Sequence, residues 1–80
     1  MKNNKWKLFS QELPTNINGE QVYILFGHPN WATYFRGMYT NFPDYSLKER
    51  LAQYDSINDT MVEWESQEPT HWMLLPENPQ

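Results

Sequence analysis

The 80-residue chain contains no cysteine, which removes disulfides and every thiolate-based metal or nucleophile pattern from consideration. Glycine is scarce. The three present, Gly19, Gly27 and Gly37, form no phosphate-cradling loop, so the sequence offers no nucleotide pocket of that kind. Long apolar runs are missing too: the longest, Val22-Tyr23-Ile24-Leu25-Phe26-Gly27, falls far short of the roughly 20 residues that span a membrane as a helix. The basic N-terminal stretch Met1-Lys2-Asn3-Asn4-Lys5-Trp6-Lys7 is followed by Glu12, Pro14 and Asn16 rather than by the apolar segment of a secretion signal. These absences predict a cytoplasmic protein with no membrane contact. The last third lacks bases altogether: residues 55–80 carry six acids (Asp55, Asp59, Glu63, Glu65, Glu68, Glu77), while all six bases lie in residues 1–54. With a net charge of −4 and one small basic cluster at Lys2, Lys5 and Lys7, the chain lacks the dense Lys and Arg that nucleic-acid affinity requires, and direct nucleic-acid binding is not expected.

Aromatics are abundant instead. Four Trp, five Tyr and four Phe give the chain enough large apolar surface to fold, and its length allows one core. One domain over residues 1–80 is expected, with 1–4 and 77–80 frayed.

Along the chain, residues 6–9 read as a short first strand, followed by Pro14 and an Asn18-Gly19 turn. Residues 21–26 carry apolar side chains on both faces, as a central strand does. After the break at Gly27-His28-Pro29-Asn30, residues 31–40 complete a hairpin with them, Trp31, Phe35, Gly37 and Tyr39 on one face and Tyr34, Arg36 and Met38 on the other; Gly37 suggests a bulge. Ser46 and Glu49 form a capping-box pattern, with Leu47, Leu51 and Tyr54 on one stripe, which predicts a short helix over about residues 46–54. Residues 61–65 alternate with Val62 and Trp64 inward and Glu63 and Glu65 outward, and residues 70–75 form a last extended piece before a proline-containing tail. The expected fold is therefore α+β: a small antiparallel sheet of three to five strands with one short helix packed on it.

Little of this points to catalysis. His28 and His71 are the only histidines and lack metal-ligand spacing, so no metal and no cofactor are expected. No nucleophile elbow is present. Glu63 and Glu65, two apart on a strand, could in principle share acid–base work, but outward glutamates on an edge strand are ordinarily solvated and discourage strand addition. The protein is expected not to be an enzyme. The aromatics between Trp31 and Tyr45 are too many for one covered face, and exposed Tyr and Trp are the usual anchors of protein interfaces.

At the two ends, Trp6 and Leu13-Pro14, then Thr70-His71-Trp72-Met73 and Leu75-Pro76-Glu77 with Pro79, together resemble the domain of unknown function 551 family, whose members run from a Trp and a Leu-Pro pair to a terminal Thr-His-Trp-Met-Pro-Leu-Pro-Glu-Pro-Pro. Leu74 and Asn78 stand where that motif has proline, and residues 43–59 look like an insertion relative to shorter members. The resemblance implies a compact, mostly antiparallel domain of phage or prophage origin, acting in the host cytoplasm, and it carries no catalytic residues. Trp6 and Trp72 read as a pair pinning both termini to one core.

The functional expectation is a non-enzymatic protein-binding module that inhibits a host protein, such as a defence or nucleic-acid-processing enzyme. Its contacts are expected at the aromatic residues Trp31 and Tyr34 and at an acidic face of Asp59, Glu63, Glu65 and Glu68 that would meet a basic partner. The rival readings are an accessory domain that self-associates into a homo-oligomer through a sheet edge, and a small-ligand or nucleotide sponge at an oligomer interface.

Overall fold

The computed structural model describes residues 6–15, 21–76 and 78. Six strands, β1 (Lys7–Leu8), β2 (Gln21–Gly27), β3 (Phe35–Thr40), β4 (Leu51–Asp55), β5 (Thr60–Glu63) and β6 (His71–Leu74), form one sheet in the order β1-β6-β2-β3-β4-β5. Every pairing is antiparallel. The expected Asn18-Gly19 turn and the fraying expected of residues 1–4 lie outside the described residues, and of residues 77–80, also expected to fray, only residue 78 is described.

The core follows from the two-residue period of β2. Val22, Ile24 and Phe26 are all buried, whereas Gln21 and Tyr23 on the other face are exposed and Leu25 is half-buried. The register sets Val22 beside Tyr39 and Phe26 beside both Phe35 and Trp72, and Tyr39 beside Leu51, so one face of four strands carries the whole apolar set. No helix or second sheet among the described residues covers it. The sheet coils over itself instead: Phe9, just beyond β1, brings its ring within 6.5 Å of Tyr39 and 6.3 Å of Trp72, and Trp64, just beyond β5, meets Phe26 edge-on at 5.0 Å. The result is nearly isotropic, 28 × 27 × 25 Å. Polar atoms carried inward are paired: the Arg50 guanidinium donates to the Tyr39 hydroxyl at 2.8 Å, the Trp72 indole to the Glu12 carbonyl at 2.9 Å, and the Trp64 indole to the Gln67 carbonyl at 2.8 Å.

The fold is thus nearly all sheet rather than α+β, and it has six strands rather than three to five. Among the described residues there is no α-helix, only a single 3-10 turn at Lys48–Arg50. The capping box is nevertheless real: the Glu49 carboxylate accepts from the Ser46 backbone N–H at 3.0 Å and from its hydroxyl at 3.1 Å. A nine-residue helix is marginal on its own, and from Leu51 onward the ladder with β3 buries Leu51 on the core face and satisfies the backbone, so the chain turns extended after one turn.

Three other expectations change. β3 begins at Phe35, so Trp31 and Tyr34 belong to the preceding loop and not to a strand. Gly37 makes no bulge; it pairs in regular register with Ile24 and Gln53. Trp6 does not face Trp72, which is paired with Lys7 instead; Trp6 is 40% exposed, and Phe9 is the N-terminal residue that enters the core.

The C-terminal strand β6 lies between β1 and β2, and its pairing is prolonged by a side chain. Asn78 accepts from the Tyr23 backbone N–H through Oδ1 and donates through Nδ2 to the carbonyls of Tyr23 and Leu75, both at 2.7 Å. Its amide therefore does what a further strand residue would do. Asn78→Ala leaves the Tyr23 N–H without its acceptor, while the two carbonyls keep the Leu75 and residue-78 backbone N–H groups, and is expected to lower stability by about 1–3 kcal/mol, read by chemical denaturation.

Candidate functional site: an aromatic groove at the end of β2 and β6

Gly27 ends β2 directly opposite His71 on β6. Beyond it, Pro29 sits in a turn closed by the Trp31 N–H on the His28 carbonyl at 3.0 Å, and the Asn30 N–H donates to His28 Nδ1 at 3.0 Å. This turn folds the Trp31 ring back onto the His28 ring, stacked at 5.6 Å with 28° between the planes. Trp31 is half in the core: it contacts Phe35 at 5.6 Å and Trp64 at 5.5 Å, and its indole N–H donates to Gln67 Oε1 at 3.0 Å. The chain then returns over Gly27, where a Cβ would lie only 3.3 Å from Tyr34 Cβ, so the missing side chain is what lets Tyr34 settle there. Trp6, arriving from the N-terminal side, lies 5.5 Å from the Tyr34 ring.

These segments enclose an open groove of about 470 Å³ lined by Trp6, His28, Trp31, Tyr34 and His71. Tyr34 is 55% exposed. Neither the Trp6 indole N–H nor the Tyr34 hydroxyl has a partner among the described residues. His71 Nδ1 is engaged by the Thr70 hydroxyl at 2.6 Å. Among the described residues no Lys or Arg lines the groove. Three of the four described bases are engaged elsewhere, Arg50 with Tyr39 and the carbonyls of Pro43 and Tyr45, Lys7 with Glu12 at 3.3 Å and over the Trp72 ring, and Arg36 over the Tyr54 ring, and the fourth, Lys48, lines a different groove.

The structure brings Trp31 and Tyr34 into one groove but does not gather the four carboxylates with them. Asp59 sits in the β4–β5 hairpin with a positive φ of 53° and accepts from the Tyr54 hydroxyl at 2.8 Å. Glu63 and Glu65 lie at the end of β5 and share a shallow groove with Lys48 and Glu49. Glu68 lines a different groove, beside Arg50 and Leu13. Among the described residues no three acids or histidines gather as metal ligands would. The shifted ionisations lie around the same hairpin and the 3-10 turn. Asn58, through its side chain first, holds the Asp55 carboxyl below the ordinary range; the Ser46 backbone N–H does the same for Glu49, and the bond to Asp59 pushes the Tyr54 hydroxyl up. The two carboxylates therefore support the fold above the ordinary carboxylate range, and that support fades as pH falls through their lowered values.

The sequence presents His28 and His71 as weak metal candidates, more ordinarily a loop residue and a hydrogen-bonded, partly buried side chain, and Trp6 as a core or interface partner of Trp72. The Gly27-His28-Pro29 break signals a loop at a strand end, but nothing local reveals that Gly27 pairs with His71, more than forty residues away.

The family model described as protein of unknown function (DUF551) matches residues 5–80. The chain belongs to this family. The matched span takes in residues 43–59 as well as both end motifs. No curated protein and no solved structure matches the chain. No helix among the described residues is long and apolar enough to cross a membrane.

Proposed function

We propose that this DUF551 protein is a non-enzymatic protein-binding module of phage or prophage origin that inhibits a host protein in the cytoplasm, with the aromatic groove as its contact surface. The observation that carries the reading is the exposure of Trp6 and Tyr34, packed against each other beside Trp31 with unpaired N–H and O–H groups. Rigid aromatic rings bearing a polar tip are the side chains that most often dominate binding energy at protein interfaces. The phage setting is supported by the resemblance of the end motifs alone.

A groove of about 470 Å³ also has the size of a small-ligand site, roughly 300–1,000 Å³, which favours as a second reading a neutral planar ligand held between the rings. The lack of Lys and Arg among the described lining residues speaks against a nucleotide phosphate.

Trp6→Ala with Tyr34→Ala removes the exposed rings without touching the buried core. The double variant is expected to melt within a few degrees of the parent while losing capture of a host-lysate partner at least thirtyfold, the loss of about 2 kcal/mol typical of hot-spot truncation. Equal capture by parent and variant would remove the groove from the interface. Quenching of tryptophan fluorescence by a planar small molecule, with no protein captured, would favour the second reading.

A further inference from the structure

We propose that the free edge of β5 binds an extended, basic segment of a partner protein as a seventh antiparallel strand. The inference rests on the binding-module reading only in taking the partner to be a protein; it concerns a surface distinct from the aromatic groove.

An open sheet has two edges, and here they differ. β1 is two residues long, and the carbonyl of Leu8 is occupied by the N–H groups of Gln11 and Glu12, both at 3.0 Å, so that edge is closed by its own turn. Among the described residues β5 has no such cover. The Trp64 N–H donates to the Leu51 carbonyl at 3.1 Å, and because hydrogen-bonded pairs alternate along an antiparallel ladder, Val62 and Thr60 also direct their backbone groups toward β4. The N–H and C=O of Met61 and Glu63 therefore point outward from the sheet, as a ready template for another strand.

Charge selects the occupant. The segment carrying this edge holds Asp59, Glu63 and Glu65, no base lies anywhere in residues 55–80, and Lys48 beside Glu49 is the one base in the adjoining groove. A second copy pairing β5 with β5 would set these acids against their own equivalents, which is unfavourable. An added strand that alternates basic and apolar residues meets Glu63 with its basic side chains on one face and Val62, 47% exposed, with its apolar ones on the other.

The test uses the full chain, ¹⁵N-labelled, titrated with a capped peptide alternating Lys or Arg with Val, and with a counterpart carrying Glu in place of each base. Hydrogen exchange at the Met61 and Glu63 amides is expected to slow at least tenfold with the basic peptide and not with the acidic one. Affinity is expected to fall steeply between about 0.1 M and 1 M salt, as the Debye length shrinks from ~10 to ~3 Å. Glu63→Lys with Glu65→Lys, both at exposed positions, is expected to weaken binding at least tenfold with an unchanged melting point, while Trp6→Ala with Tyr34→Ala leaves it intact. Unprotected amides at peptide saturation, equal binding of the acidic peptide, or indifference to the Glu63/Glu65 variant would each overturn the proposal. So would protection that appears without peptide as protein concentration rises, which would assign the edge to a second copy. Loss of peptide binding in the Trp6/Tyr34 variant alone would move the peptide to the groove, overturning the edge and leaving the binding-module reading in place.

Discussion

A chain ending at Gln67 is expected to show no cooperative melting transition, and Trp72→Ala in the full chain to be largely unfolded at 37 °C. The truncation removes β6, which lies between β1 and β2, so β1 loses its only partner and β2 becomes an edge. It also removes Trp72, whose ring is 1% exposed and packs on Phe9 while its indole N–H ties down the Glu12 carbonyl. Truncating a buried Trp to Ala costs about 3–5 kcal/mol, and the stranded carbonyl adds about 1–3. Domains of this size have total stabilities at the low end of about 5–15 kcal/mol. Differential scanning calorimetry decides it: a truncated chain melting cooperatively near the parent midpoint would show that β6 is an accessory strand.

Gly37→Ala is expected to destabilise the fold by about 3 kcal/mol or more, at or beyond the upper end for overpacking a core. A Cβ built on Gly37 would overlap the Ala52 carbonyl oxygen and lie 2.9 Å from Phe26 Cε2. The first obstacle is backbone in the adjacent strand and cannot rotate away, so β3 and β4 would have to separate where Gly37 pairs with Gln53. Glycine is required there for space, since the residue sits in regular strand register and not in a turn. Urea denaturation of the variant should show a lowered midpoint with broadly similar slope. A loss below about 1 kcal/mol would mean that the ladder yields more easily than its geometry implies.

The strands were legible wherever one face is buried and the other wet. Residues 21–26 form the central strand that their apolar residues imply, residues 35–40 of the expected 31–40 strand pair with them, and Trp64 and Trp72, the largest side chains of the last third, fill the core. The helix was misread because its signals were locally true. The Ser46–Glu49 box closes, but Leu51 and Ala52 can serve a helical stripe or a strand equally well, and only the presence of β3 alongside decides between them. Trp31 and Tyr34 were assigned to opposite faces of a strand; placed in a loop by the Pro29 turn, they converge on one groove. The acidic residues were read as one face because they are close in sequence, yet the bend after β5 sends Glu68 to a different groove from Glu63 and Glu65.

By itself the sequence determined that this is one small aromatic core without disulfides, that its strands are mostly antiparallel, that its charge is acidic toward the C-terminus, and that it carries the end motifs of its family. Those properties are local: each depends on composition or on the spacing of residues close along the chain. The tertiary structure decided the number and order of strands, the insertion of β6 between β1 and β2, the meeting of Trp6, His28, Tyr34 and His71, and which edge stays open. Each of those depends on which distant strand supplies the partner for a given backbone, and any strand with the right alternation satisfies the local pattern. Only the joint burial of Phe9, Phe26, Trp64 and Trp72 on one coiled face selects a single pairing.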